Sequence, residues 1–312
     1  MKKFFLAMAA LVMSAAMMSA QDLATATQTF NNGAEQLGTG DKVTALATFK
    51  EALGMAEALG EEGNEIVASC KKAISNIIFS NAKDMVKEEK FDEALSLIDE
   101  AKKVAAECEN EDVLVPAEQL IPQVNLAKGN HLYKAKDYAA AKEIFTSLLE
   151  SDPKNKNANI LLIQTLTKLG DIDGAVALLP QAEEVGNTAN AKKVIAGAFL
   201  SQAQAQQKAG KNAEVCETVK KAEELDLISN PAIYQLAGGA ATKLNKITDA
   251  IAFYDKFLTA APTNKNFGAI AYTVGALYQQ NLKNNAKALE YYKMSLDAGY
   301  ANAKQMVDAL SK

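Results

Sequence analysis

The chain has one histidine, three cysteines and no tryptophan among its 312 residues. The single histidine, His131, excludes a multi-histidine metal cluster and leaves few candidates for a general base. No HExxH helix, phosphate-cradling glycine loop or GxSxG elbow occurs. The carboxylate pairs Glu61-Glu62, Glu183-Glu184 and Glu223-Glu224 read as solvated helix faces or ends. These absences argue against an enzyme and against a cofactor. The cysteines are too far apart for the compact pairs of a zinc site. No apolar run after the first twenty residues is long enough for a span, so no integral membrane span is expected in the mature chain.

Those twenty residues form a pattern of their own. Lys2 and Lys3 precede a mostly apolar run from Phe4 to Met18, and the small Ser19 and Ala20 stand before Gln21. This order reads as a secretory signal peptide over residues 1–20, cut after Ala20, and it places the mature protein in a periplasm or outside the cell. Removing it leaves 31 basic against 38 acidic residues, a net charge of −7. An acidic chain is a poor partner for nucleic acid.

Residues 21–312 repeat one helical pattern. Seven trios with the spacing i, i+4, i+7 recur: Ala45, Phe49, Ala52; Ala94, Ile98, Ala101; Ala141, Phe145, Leu148; Ala175, Leu179, Ala182; Val215, Val219, Ala222; Ala250, Tyr254, Phe257; and Ala288, Tyr292, Ser295. Each trio lies on one face of a helix. A small residue stands twelve positions before several of them: Gly33, Ala82, Gly129 and Gly238, with Gly275 thirteen before Ala288. Between the two helices, Gly40-Asp41 and Gly170-Asp171 supply a helix stop and a helix start. Lys90-Phe91 and Lys136-Asp137-Tyr138 take the same place with weaker punctuation.

This pattern resembles the tetratricopeptide repeat family. The 34-residue step from Ala141 to Ala175, the small residue eighth in the unit, alanine at twenty, an aromatic at twenty-four and proline at thirty-two carry the resemblance. The segments Pro122–Asn155 and Pro231–Asn264 fit best, although Leu148 and Phe257 are large at the twenty-seventh place and the family's tryptophan is absent. The resemblance implies an all-α fold: a right-handed superhelical solenoid of antiparallel helix hairpins, its inner groove lined by the first helix of each pair. About seven irregular repeats would then fill a single domain over residues 21–312, with Ala301–Leu310 as a C-terminal capping helix. Glu109–Pro116 and Asn187–Lys192 are the weakest joins.

The groove is the expected binding surface. The ninth place of four units holds Asn130, Gln164, Gln204 and Gly239, and one turn later come Lys134, Lys168, Lys208 and Lys243. Such a ladder suits a protein or peptide partner bearing carboxylates. Lysines ahead of a turn also complement the negative end of a helix, so the two explanations stand side by side. Cys70 and Cys108 each lie 19 residues from Glu89, at matching heights on a hairpin, and are candidates for a disulfide stabilising it by roughly 2–4 kcal/mol. Tyr272, Tyr278, Tyr291, Tyr292 and Tyr300 concentrate near the C-terminus, where self-association is an alternative use of the surface. The sequence therefore points to an exported, non-catalytic scaffold that binds protein or peptide, with a structural spacer or self-assembling protein as the competing reading.

Overall fold

The computed structural model describes the backbone from residue 2 and side chains from residue 20, so the side chains of the expected export signal lie outside the described residues apart from Ala20. Among the described residues every regular element is a helix, and none is long and apolar enough to cross a membrane. Contacts divide the chain between Ala135 and Lys136 into two compact units. The division falls inside Pro122–Asn155, one of the two segments that best fit the repeat pattern.

The first unit contains α1 (Lys2–Gly38), α2 (Lys42–Ala58), α3 (Asn64–Lys87), α4 (Phe91–Glu107) and α5 (Glu111–Lys134), with a short 3-10 turn at Gly60–Gly63. Consecutive helices pack as antiparallel neighbours, and α5 lies against both α3 and α4. One contiguous core runs through them from Ala45 and Phe49 to Val113, Ala117 and Val124. The second unit contains α6 (Tyr138–Ser151), α7 (Lys156–Leu169), α8 (Ile172–Ala177), α9 (Leu179–Glu184), α10 (Thr188–Lys208), α11 (Asn212–Glu224), α12 (Ala232–Lys243), α13 (Ile247–Ala260), α14 (Phe267–Gln280), α15 (Asn285–Asp297) and α16 (Ala303–Leu310). Here α10 packs on both α7 and α12, and α16 closes the row against α15.

The trios read from the sequence are the interior. Twenty of their twenty-one residues are buried, most of them completely. The exception, Leu179, is half-buried. Two neighbours explain it. Pro180 has no N–H to continue the helix, so the second helix of this pair splits into α8 and α9 around Leu178. The place opposite is taken by Ile163, large and fully buried, where the other pairs carry a small residue.

Elsewhere the small residue makes room for the ring. A Cβ built on Gly33 would stand 3.1 Å from the Phe49 ring; on Gly238, 2.5 Å from Tyr254; on Gly275, 2.8 Å from Tyr292. Close approach, rather than an unusual backbone angle, is what these helical glycines provide.

Helix ends follow one rule. Nine described helices finish in the same pair of backbone hydrogen bonds, as where Glu89 N–H donates to Val86 and Lys90 N–H to Met85. This Schellman closure needs a left-handed residue. Glycine supplies it at 40, 170, 186, 210 and 299, but Glu89, Glu109, Asp226 and Asn245 adopt the same conformation. Three of the second helices, α2, α6 and α8, begin on an aspartate cap: Asp41, Asp137 and Asp171 accept from Thr44, Ala140 and Gly174 N–H. One sequence boundary moves. Pro122 does not open a helix: α5 starts at Glu111 and runs through both Pro116 and Pro122. Burial of Val113, Ala117 and Val124 on one side outweighs the two missing N–H donors.

Candidate functional site

The three first-type helices α7, α10 and α12 lie side by side and bury Leu162, Ile163, Leu166, Ile195, Phe199, Ala203, Ile233, Ala237 and Ala241. Their other faces carry most of the ladder. Gln164 is half-buried and Gln204 exposed; Lys168, Lys208 and Lys243 are all exposed, each in the last turn of its helix. Among the described residues none of these five side chains has a hydrogen-bond or ion-pair partner. Four other lysines of this unit are ion-paired: Lys192 with Asp226 at 3.2 Å, Lys220 with Asp249 at 3.6 Å, Lys221 with Asp173, and Lys256 with Glu223. Asn130 and Lys134 occupy the equivalent places on α5 but belong to the first unit. The structure thus brings together Gln164, Lys168, Gln204, Lys208 and Lys243, with half-buried Gly239 as the gap in the row.

A second concavity, about 300 Å³, lies between the α7–α8 turn, α10 and α11, and was not anticipated. Phe199 forms its floor, and Gln202, Gln206, Asp171, Glu217 and Lys221 line it. Much of its polar chemistry is spent internally. Thr218 Oγ1 donates to Gln206 Oε1 at 2.9 Å, Asp171 caps α8, and Asp173 holds Lys221. The available signal was Gln202 and Gln206, one turn apart and on a different face from Gln204 and Lys208. No group of three or more potential metal ligands occurs among the described residues.

Residues 132–198 match the family model for the tetratricopeptide repeat. That segment carries the tetratricopeptide repeat pattern. Solved structures with similar repeats include MamA, 19% identical over 56% of this chain and 96% of that one, with a TM-score of 0.31. A tetratricopeptide repeat protein from Parabacteroides merdae is 14% identical over 92% of this chain and 99% of its own, at a TM-score of 0.28. The TPR2AB domain of yeast Sti1, solved as a complex with pHSP90, is 18% identical over 77% and 99% of the two chains, at a TM-score of 0.28. None of these likenesses identifies a ligand. No curated protein matches the chain. Tetratricopeptide repeats typically build protein–protein interaction scaffolds, and proteins made of them are generally non-catalytic.

The remaining candidates are largely occupied. His131 is exposed, its Nδ1 3.3 Å from Glu89 and its ring edge-on to Phe91. The expected Cys70–Cys108 disulfide is not formed; all three cysteines are free. Cys70 is sealed in the core of α3, where burial pushes its thiol up to about 11. Cys108 caps α4 and turns its Sγ to the carbonyls of Val104 and Ala105. Matching height along the hairpin did not bring the sulfurs to face each other. The C-terminal tyrosines also have internal partners. Tyr292 is fully buried and donates to Gln279, while Tyr291 donates to Asp255 at 2.8 Å and stacks on Tyr278. Burial, then the adjoining Asp255, raises the Tyr291 hydroxyl above its ordinary value, and burial raises the Asp255 carboxyl.

Proposed function

We propose that this protein is exported and acts outside the cytoplasm as a non-catalytic adaptor, holding an extended, carboxylate-bearing segment of a partner protein along α7, α10 and α12. One observation carries this reading: a row of two amides and three ammonium groups, none with a hydrogen-bond or ion-pair partner among the described residues, while other lysines of the same unit are ion-paired. Amides can pair with a peptide backbone, and unpaired ammonium groups favour acidic side chains and speed their encounter. The last-turn position of each lysine also satisfies its helix end, which lets one residue serve both purposes.

The test is affinity capture from the native extracytoplasmic extract with the mature chain, beside a variant with Lys168, Lys208 and Lys243 changed to glutamate. A partner held by the parent and lost by the variant supports the adaptor and locates its surface. Equal capture by both proteins rejects the row as the binding surface. Reversing Lys134 alone shows whether the first unit contributes. All four lysines are exposed, so circular dichroism should show an unchanged fold.

A further inference from the structure

The last helix, α16, is amphipathic in an unusual setting. It buries Ala303 completely and half-buries Met306, Val307 and Leu310. Its other side, with Lys304 and Asp308 at the i, i+4 spacing, borders a cavity of about 770 Å³ that also takes in Gln305, Asn302, Lys312 just past the helix end and the Tyr272 ring of α14. That volume lies within the range of roughly 300–1,000 Å³ for small-molecule sites.

The aromatic wall is built to hold still. The Tyr272 ring packs at a tilt against Tyr292, centroids 5.2 Å apart, and against Tyr300 at 5.4 Å. Tyr300 is itself fixed by close approach: a Cβ on Gly268 would stand 2.9 Å from its Cβ, and the buried Ser295 hydroxyl donates to the Gly268 carbonyl. Facing this wall, the side chains of Lys304, Gln305, Asp308 and Lys312 have no hydrogen-bond or ion-pair partner among the described residues. Asn302 spends its amide N–H on the Tyr300 hydroxyl at 3.3 Å and keeps its carbonyl.

We infer that this C-terminal cavity binds an acidic saccharide. A pyranose ring has an apolar face, suited to the exposed side of a fixed tyrosine, and a rim of hydroxyls that demands several donors and acceptors at once. Asn302, Gln305 and Asp308 supply that mixture. The ammonium groups of Lys304 and Lys312 are the partners for a ring carboxylate. A wholly apolar ligand would offer no partner to Lys304, Gln305, Asp308 or Lys312. This inference does not depend on the α7–α10–α12 row.

The probes are trigalacturonate, acidic, and maltotriose, neutral, titrated calorimetrically into the full mature chain. Trigalacturonate should bind more tightly. Tyr272→Ala should weaken it by up to about tenfold, the value of an aromatic contact, whereas Tyr272→Phe keeps the ring and should keep the binding. Should Tyr272→Ala disturb folding by circular dichroism, Gln305→Ala with Asp308→Ala, on the exposed face, must lower affinity for both sugars. Lys304→Ala with Lys312→Ala should erase the preference for the acidic sugar. The variant with Lys168, Lys208 and Lys243 reversed should bind sugar normally, which separates this site from the adaptor row. Absence of binding to either sugar at low-millimolar concentration overturns the inference. So does binding that ignores Tyr272→Ala in a folded protein, or an acidic peptide that binds this cavity when the sugars do not.

Discussion

Gly238 and Gly239 are adjacent in the middle of α12, yet alanine should have opposite effects at the two positions. A Cβ on Gly238 meets the Tyr254 ring at 2.5 to 2.8 Å, closer than packed atoms tolerate, whereas a Cβ on Gly239 comes no nearer than 3.7 Å to the Tyr254 hydroxyl. Tyr254 is 6% exposed, so its ring has little room to retreat. Replacing an interior helical glycine by alanine gains about 1 kcal/mol of helix propensity at either position. Overpacking costs about 1–3 kcal/mol and applies only at 238. Because propensity cancels, Gly238→Ala should be less stable than Gly239→Ala by about 1–3 kcal/mol, and Gly239→Ala should equal or exceed the parent. Urea unfolding followed by helical circular dichroism reads both midpoints, with the slope checked for constancy. Adding Tyr254→Leu to Gly238→Ala should recover part of the loss. Two glycine variants of equal stability would refute the idea that the ring dictates the glycine.

The free thiols should differ in reactivity: at pH 8 native protein should take up iodoacetamide at Cys108 first, while Cys70, buried and held mostly protonated by a value of about 11, reacts only when α3 opens. Mass spectrometry of timed samples decides this, and equally fast labelling of Cys70 would contradict its burial. In the first unit, hydrogen bonds from Lys42 and Lys87 hold the Asp84 carboxyl down at about 2. A carboxyl lowered in the folded state stabilises above its unfolded value of about 3.9 and loses that contribution as pH falls toward 2. Asp84→Asn should therefore lower the melting temperature at pH 7 more than at pH 2, whereas a pH-independent effect would assign the contact a purely packing role.

The sequence disclosed the interior because burial has a period. Ala45, Phe49 and Ala52 and their counterparts had to recur on one face, and the gap from small residue to ring had to hold constant if the two were to touch. Turns were harder to read. Glu89 and Asn245 close their helices through backbone hydrogen bonds that leave no demand on the side chain, so their positions look unpunctuated. Pro122 heads a repeat segment in the sequence, yet α5 starts at Glu111 and runs past it. For the candidate site, helical spacing located Gln164, Lys168, Gln204, Lys208 and Lys243, but it did not reveal which lysines were ion-paired. Nor did spacing reveal the cavity beside Tyr272, which combines a ring from α14 with a polar face about 30 residues later in the sequence. Cys70 and Cys108 show the same limit: height along a hairpin is legible, and the direction of a sulfur is not.

Four of the six non-glycine left-handed residues, those in the Schellman closures, have a bearing on how the molecule comes apart. Each holds an L side chain where it is strained by roughly 1–2 kcal/mol, less for asparagine and aspartate, and each sits at the foot of a different helix, α3, α4, α11 or α12. In a stack where each hairpin leans mainly on its neighbours, opening proceeds segment by segment. Glu89, Glu109, Asp226 and Asn245 are thus adjustable tension points. Glycine at one of them would delay the loosening of that segment alone, so the sequence of thermal opening along the chain can be rewritten at its turns without altering a single packed residue.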